Sequence, residues 1–124
     1  MLGDKEVCAT IAVSDLDKAE SFYGGTLGLE AQRDGGGGVF YKSGSSGVFI
    51  YPSSSAGTNK ATYAAWSVDN VEEVVKALKD KGVKFEQYDD LPGTREGDIH
   101  IMGPIKSAWF SDPDGNILNI VSGM

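Results

Sequence analysis

Few side chains in this sequence are suited to catalysis. The sequence contains a single histidine, His100, and a single cysteine, Cys8. Histidine is the usual general acid or base near neutral pH. His100 lies in segment 89–105, where glycines and prolines predict a long loop. As a lid, that loop could carry His100 over a cavity, although a solvated loop histidine is the favoured interpretation. The same segment holds four acidic residues, predicted to form a solvated edge that could instead repel anions or attract a cation: Asp89, Asp90, Glu96 and Asp98.

Cys8 could act as a nucleophile only with a base beside it, because the thiolate is the reactive form. The neighbouring sequence supplies no such base, so we expect a buried and inert thiol. A lone cysteine also excludes an internal disulfide, and it cannot hold a zinc ion by itself.

Three short motifs resemble ligand sites, but their context favours turns. The glycine-rich segment 34–38 leads into a strand, whereas a phosphate cradle leads into a helix. The Gly-Ser-Ser-Gly motif at 44–47 is not followed by a helix, as a nucleophile elbow would be. In Asp-Pro-Asp-Gly-Asn at 112–116, Ile117 stands where a calcium loop needs glycine, and Gly123 stands where it needs glutamate. Each motif is interpreted as a turn.

Length and charge exclude several classes of function. A chain of 124 residues fits one domain, here 1–124. The net charge of -7 argues against nucleic-acid binding, which needs clustered Lys and Arg. The start MLGDKEV does not read as a signal peptide, and no apolar run is long enough to span a membrane. We therefore expect a cytoplasmic protein without a membrane partner.

An internal repeat organises the chain, because 7–29 matches 62–83 at an offset of 55 residues. Each copy begins with alternating apolar residues, as in a half-buried strand, and continues into an amphipathic helix. Asp15 and Asn70 are predicted N-caps. Glycines are predicted to end the helices, at Gly24 and Gly25 in the first copy and at Gly82 in the second.

Three further strands are predicted after each helix. They lie at 29–33, 39–41 and 48–51 in the first copy, and at 84–88, 108–110 and 116–121 in the second. The predicted fold class is thus α+β, with two tandem βαβββ units at about 5–52 and about 61–122, joined by a linker at 53–60.

Three stretches carry a family resemblance: VSDLDKAESFYGGTLGL, WSVDNVEEVVKALKDKGV and AWFSDPDGNILNI. With its paired units, the chain resembles the vicinal oxygen chelate superfamily, which includes glyoxalase I, bleomycin-resistance proteins and extradiol dioxygenases. The resemblance implies curved mixed sheets around a cavity, helices outside, and a homodimer. It also implies that metal ligands, where present, come from positions held here by Cys8, Tyr51, Tyr63 and Asn119.

A thiol, two phenols and an amide are poor ligands for a divalent metal, so we expect no metal and no other cofactor. The alternation of the strands places six residues toward the implied cavity, as candidates for binding a ligand: Cys8, Thr10, Phe49, Tyr51, Tyr63 and Asn119. Such an apolar and aromatic wall suits an uncharged or planar small molecule. The same aromatics could instead fill the interior as core.

The favoured function is a metal-independent protein that binds or sequesters a small aromatic or amphiphilic molecule, as the resemblance to bleomycin-resistance proteins implies. Whether turnover occurs is open. One alternative is a lyase, isomerase or dioxygenase-like enzyme with a non-standard site, for which His100 is the catalytic candidate. Another is a dimeric scaffold with a filled barrel.

Overall fold

The computed structural model describes residues 1–32 and 37–124. The chain divides into two compact units, Met1–Asn59 and Lys60–Met124. In each unit the first and last strands form a parallel pair, and the strands that follow the helix pair with their neighbours in antiparallel fashion. The predicted α+β class with two βαβββ units is confirmed. No helix among the described residues is long and apolar enough to cross a membrane.

The first unit forms a four-stranded mixed sheet. Its elements are β1 (Ala9–Val13), α1 (Leu16–Ala19), a π-helix (Glu20–Thr26), β2 (Glu30–Gln32), β3 (Val39–Ser43) and β4 (Ser46–Pro52). The strand order is β1-β4-β3-β2, with β1 parallel to β4. The core of this unit includes Ile11, Val13, Ile50, Tyr23 and Tyr41. The alternation read from the sequence thus identifies Ile11 and Val13 of β1 as core residues, although Ala12 between them is buried as well.

The first helix begins as predicted but ends later. Asp15 accepts hydrogen bonds from the backbone N–H groups of Asp17 (2.8 Å) and Lys18 (3.2 Å), which confirms the N-cap. Gly24 and Gly25 do not end the helix, because both lie inside the π-helix. Gly28 takes the left-handed conformation at φ 76°, and the helix ends there. The predicted strand residue Arg33 and most of the glycine-rich turn, 34–36, lie outside the described residues.

The second unit has a larger sheet. Its elements are β5 (Thr62–Ser67), α2 (Val71–Asp80), β6 (Phe85–Glu86), β7 (Thr94–Glu96), β8 (Ile99–Met102), β9 (Ile105–Ser111) and β10 (Ile117–Ser122). The order is β5-β10-β9-β8-β7, and β6 also pairs with β9. Helix α2 is capped by Asn70 and is followed by Gly82, which has φ 89°. The helix packs against β9 and β10, whose buried side chains include Phe110, Leu118 and Ile120.

The prediction of one long loop at 89–105 is wrong. Most of this segment is a hairpin of β7 and β8, and β8 continues the sheet by pairing with β9. The turn between β7 and β8 begins with Gly97 (φ 62°), and the turn between β8 and β9 begins with Gly103 (φ 59°). Both glycines supply the left-handed conformation that a two-residue turn requires. The irregular part is limited to 87–93, between β6 and β7.

Candidate functional site

The candidate site lies on the face of the second sheet opposite helix α2. Along β9, Ala108 and Phe110 are buried on the helix side, so the alternating neighbour Trp109 points to the other face. Trp109 pairs with Asn119 of β10 and with Glu86 of β6. Its Nε1–H donates to Oγ1 of Thr62 on β5 (3.2 Å), which fixes the indole across the sheet.

His100 lies beside this indole and is not a solvated loop residue, so that interpretation is wrong. It belongs to β8 and is 7% exposed. Its Nε2 accepts a hydrogen bond from the backbone N–H of Tyr88 (2.9 Å). Among the described residues, Nδ1 of His100 has no hydrogen-bonding partner, although it is buried.

Tyr88, His100 and Trp109 form an aromatic cluster. The His100 and Trp109 rings are 4.9 Å apart and nearly perpendicular (85°), and the Tyr88 and Trp109 rings are 5.5 Å apart at 78°. These are favourable edge-to-face arrangements. Burial, with smaller contributions from the charges of Glu86 and Asp90, raises the pKa of the Tyr88 hydroxyl. This raised pKa favours the neutral phenol.

Three consecutive residues tie segment 87–93 to the β7–β8 hairpin. Gln87 Nε2 donates to Asp98 (3.1 Å), the Tyr88 N–H donates to His100, and Asp89 accepts from Nε and Nη2 of Arg95 (3.1 and 2.9 Å). The segment is thus anchored at its start, beside the aromatic cluster.

The predicted solvated acidic edge is wrong for one of its four members, Asp98, whereas the side chain of Asp89 is 80% exposed. Asp89 pairs with Arg95, and Asp98 accepts a 2.7 Å hydrogen bond from Lys79 of α2. The Asp98 side chain is only 13% exposed. The hydrogen bond from Lys79, assisted by that from Gln87, lowers the pKa of the Asp98 carboxyl. These carboxylates therefore hold the hairpin in place.

Two of the pockets of the described chain lie in this unit, and Leu91 and Trp109 line both of them. The first, called here the β8 pocket, has a volume of about 170 Å³. Its other lining residues are Pro92, His100, Ile101, Met102, Ile105 and Ser107. The second, called here the β5 pocket, has a volume of about 270 Å³ and includes Lys60, Thr62, Tyr88, Asp90 and Ile117 in its wall.

The β8 pocket is apolar and uncharged, whereas the β5 pocket is not. None of the described residues that line the β8 pocket is Asp, Glu, Lys or Arg, and its polar side chains are His100 and Ser107. Leu91 and Met102 at this pocket are 42% and 50% exposed. By contrast, Lys60 and Asp90 bring charges of both signs to the β5 pocket. The two pockets therefore suit different ligands.

Asn119 and Tyr63, two of the sequence candidates, lie on this sheet but line neither of these pockets. Asn119 is buried, and its Nδ2 donates to the carbonyl of Ala108 (3.1 Å), so its amide joins neighbouring strands. Tyr63 is half-buried at a β-bulge, where the pairing passes from Thr62 to Ala64. A role of either residue in ligand binding stays a prediction.

The other sequence candidates lie in the first unit. Thr10 is exposed and pairs with Phe49, whose ring is 6.2 Å from that of Tyr51 at 14°. Both rings are half-buried. Cys8 is exposed and precedes β1, so the predicted burial of its thiol is wrong. Ligand contacts of these four residues also stay predictions.

Sequence reasoning did not select Tyr88, Trp109 or Ser107. The signal for Trp109 was its alternation with Ala108 and Phe110, which places the indole opposite the helix. No comparable signal existed for Tyr88, because its role depends on a backbone N–H that meets His100 in the folded chain. Within the described part of each unit, no three His, Cys, Asp or Glu side chains are grouped as they would be around a metal ion.

Comparisons with known proteins agree with this architecture. The family model of the Glyoxalase/Bleomycin resistance protein/Dioxygenase superfamily matches residues 7–120. Among solved structures, a glyoxalase family protein from Enterococcus faecalis is 24% identical, with 98% of this chain and 99% of that chain covered and a TM-score of 0.72. The fosfomycin resistance protein FosX from Listeria monocytogenes is 18% identical (98% and 94% covered, TM-score 0.73). Lactoylglutathione lyase from Agrobacterium tumefaciens is 20% identical (98% and 96% covered, TM-score 0.70).

At these identities the likeness shows the fold alone. Among curated protein sequences, none matches this chain. The family model, however, spans nearly the whole sequence. The chain therefore belongs to the Glyoxalase/Bleomycin resistance protein/Dioxygenase superfamily.

Proposed function

We propose that the second unit binds a small, uncharged, mainly apolar molecule in the β8 pocket. The observation that carries this proposal is the composition of the pocket wall, which is mainly aliphatic and aromatic and includes both Trp109 and Leu91. Pockets of this kind gain affinity from burying apolar surface and orientation from a few polar groups. The exposed side chains of Leu91 and Met102 would lose contact with water when a ligand binds.

The pocket volume limits the ligand to about one aromatic ring with a short substituent. A cavity of about 150 Å³ lined by apolar side chains admits benzene. The β8 pocket, at about 170 Å³, has room for one ring and a few more atoms. The indole of Trp109 offers an aromatic surface against which such a ring can pack.

The charge distribution favours a neutral ligand. An ion in the β8 pocket would lose its hydration without gaining an opposite charge from the wall, which is strongly unfavourable. The charged groups of the adjoining hairpin and segment already have partners, since Asp89 pairs with Arg95 and Asp98 pairs with Lys79 of α2. A neutral aromatic or amphiphilic molecule has no ionic hydration to lose and needs no opposite charge in the pocket wall.

We infer further that this binding does not use a metal at the positions where the superfamily places its ligands. Those positions hold a thiol, two phenols and an amide, and the amide Nδ2 of Asn119 already donates to Ala108. Neutral phenols and amides are weak ligands for zinc, iron or manganese, so this set does not fit such an ion. Elemental analysis of protein purified without chelators is expected to find well under one equivalent of metal. One equivalent per chain would contradict the inference.

The binding proposal is tested by fluorescence titration. The chain contains two tryptophans, and the variant Trp66→Phe leaves Trp109 as the reporter at the pocket. Titration with substituted benzenes is expected to change its emission saturably, with dissociation constants below millimolar. No saturable change with any neutral aromatic probe would contradict the proposal.

A pair of variants tests whether the probe binds in the β8 pocket. Met102→Lys brings a charge to the pocket wall and is expected to weaken binding at least tenfold. Val7→Lys is the matched control, because Val7 is also an exposed apolar residue and lies in the other unit. Equal loss of binding in both variants would show that the probe does not occupy the β8 pocket.

A further inference from the structure

We propose that His100 selects the ligand of the β8 pocket, with its Nδ1–H donating a hydrogen bond to an acceptor oxygen such as a ketone carbonyl. This inference rests on the proposed function, which it narrows from apolar molecules in general to those that carry an uncharged acceptor oxygen. Ketones, aldehydes, esters and ethers belong to this class, and hydrocarbons do not.

The tautomer of His100 follows from its contact with Tyr88. The backbone N–H of Tyr88 donates to Nε2 at 2.9 Å, so Nε2 must present a lone pair. A neutral imidazole has one N–H, which is then at Nδ1. The fold therefore sets His100 as a donor at Nδ1.

That donor is left without an acceptor. Nδ1 is buried and makes no hydrogen bond with any residue in the described part of the chain. The side chain of Arg95, which pairs with His100 across the hairpin, is itself a donor and is engaged with Asp89 and the carbonyl of Gly97. A buried donor without an acceptor is unfavourable, and most such groups in proteins are satisfied. A ligand oxygen at this nitrogen would remove the cost.

His100 lines the β8 pocket together with Leu91 and Pro92 of segment 87–93. Gln87, Tyr88 and Asp89 are bonded to the hairpin, whereas Leu91 and Pro92, further along, are exposed and line the pocket. Because Nδ1 is buried, the proposed contact requires the pocket wall to shift when the ligand binds, and we assign that shift to the exposed residues Leu91 and Pro92. The bond between Tyr88 and Nε2 keeps the ring oriented during that shift.

Acetophenone and ethylbenzene are matched probes for this donor. They share a ring and a two-carbon substituent, and only acetophenone carries an acceptor oxygen. The measured quantity is the ratio of their dissociation constants, compared between protein variants, so that the different hydration of the two probes cancels. Calorimetry or the Trp109 emission gives each constant.

Two substitutions separate the two ring nitrogens. His100→Gln retains an acceptor near Nε2 for the Tyr88 N–H and removes the donor at Nδ1. It is expected to reduce the preference for acetophenone over ethylbenzene about tenfold, the size of one lost hydrogen bond in a dry site. His100→Asn retains a donor near Nδ1 and loses the contact with Tyr88. It is expected to retain the preference within about threefold while lowering the melting temperature.

The single histidine allows a second test that requires no variant. In protein labelled with 15N-histidine, the long-range 1H–15N spectrum reports His100 alone. The expected result is a proton on Nδ1 and a lone pair on Nε2, with the Nδ1–H resonance moving downfield when acetophenone is added and not with ethylbenzene. A proton found on Nε2 instead would overturn the inference.

The outcomes distinguish this inference from the function on which it rests. If both probes bind the wild-type protein and the ratio is unchanged in His100→Gln, His100 does not select the ligand and the pocket proposal stands. If neither probe binds the wild-type protein, the pocket proposal fails, and the role of His100 fails with it.

Discussion

Replacing Asp98 by Asn is expected to destabilise the second unit in a pH-dependent way. Asp98 accepts from Lys79 of α2 at 2.7 Å and from Gln87 at 3.1 Å, so one carboxylate joins the helix, the hairpin and the start of segment 87–93. The substitution retains an oxygen acceptor and removes the charge.

The size of the expected loss in unfolding free energy depends on how far Asp98 and Lys79 are shielded from water. Hydrogen bonds to charged groups contribute about 1.5–3 kcal/mol when shielded from water. The Lys79 side chain is 55% exposed, although that of Asp98 is only 13% exposed. Exposed ion pairs contribute less than about 1 kcal/mol because solvent screens them. We therefore expect a loss of about 1 kcal/mol at neutral pH, or about 4 °C in melting temperature for a chain of this size.

The pH dependence has a definite sign. The hydrogen bond from Lys79, with that from Gln87, lowers the pKa of Asp98 in the folded protein. A lowered carboxyl pKa stabilises the fold above the unfolded-state pKa of about 3.9. This contribution disappears as the pH falls from there through the folded-state pKa. The wild-type protein should therefore lose its advantage over Asp98→Asn on acidification.

The assay is urea denaturation of both proteins from pH 7 to pH 2.5, followed by circular dichroism. The expected difference in free energy of unfolding is constant down to about pH 5 and shrinks toward zero at the acid end. Asp90→Asn is the matched control, because this exposed carboxylate lies in the same segment, and little change is expected at any pH. A difference for Asp98→Asn that persists unchanged at the lowest pH would refute the reasoning.

Two further predictions concern the fold. Gly28→Ala is expected to destabilise the protein by about 1 kcal/mol, because Gly28 has φ 76°, whereas Gly25→Ala should have no effect or stabilise it, since Gly25 lies inside the helix with open space around it. Thermal unfolding of both variants checks this, and equal effects would contradict the assignment of the helix end to Gly28. Asn119→Ala is expected to cost about 1–3 kcal/mol, because it leaves the Ala108 carbonyl without its buried amide donor. Chemical denaturation checks this, and an unchanged stability would show that the bond contributes nothing.

The repeat and its helices could be predicted because they depend on local patterns. Alternation places Ile11 and Val13 in the core, and Asp15 and Asn70 cap their helices through contacts within three residues. The end of the first helix could not be placed in this way. Three glycines follow Tyr23 within five residues, so the local sequence does not select one of them, and the helix continues past the first two.

In segment 89–105, glycines that predict a loop mark instead the two tight turns that separate β7, β8 and β9. Gly97-Asp98 and Gly103-Pro104 each occupy a two-residue turn between paired strands, which is a hairpin signal. The predicted loop also implied a solvent-exposed His100. Because β8 is a strand that pairs with β9, His100 lies beside Trp109 and is buried.

The rest of the candidate site depends on contacts that no local pattern encodes. β9 pairs with β8 along its first half and with β6 along its second, and this brings Tyr88, His100 and Trp109 together. The bulge at Tyr63 depends on the register of β5 against β10. The exposure of Cys8 depends on where β1 begins, one residue later.

The most direct measurement is a crystal structure of the protein grown with acetophenone. Density for the probe is expected between Leu91 and Trp109, with its carbonyl oxygen within hydrogen-bonding distance of Nδ1 of His100. Density confined to the β5 pocket, or an empty β8 pocket under conditions in which the probe binds in solution, would contradict the account.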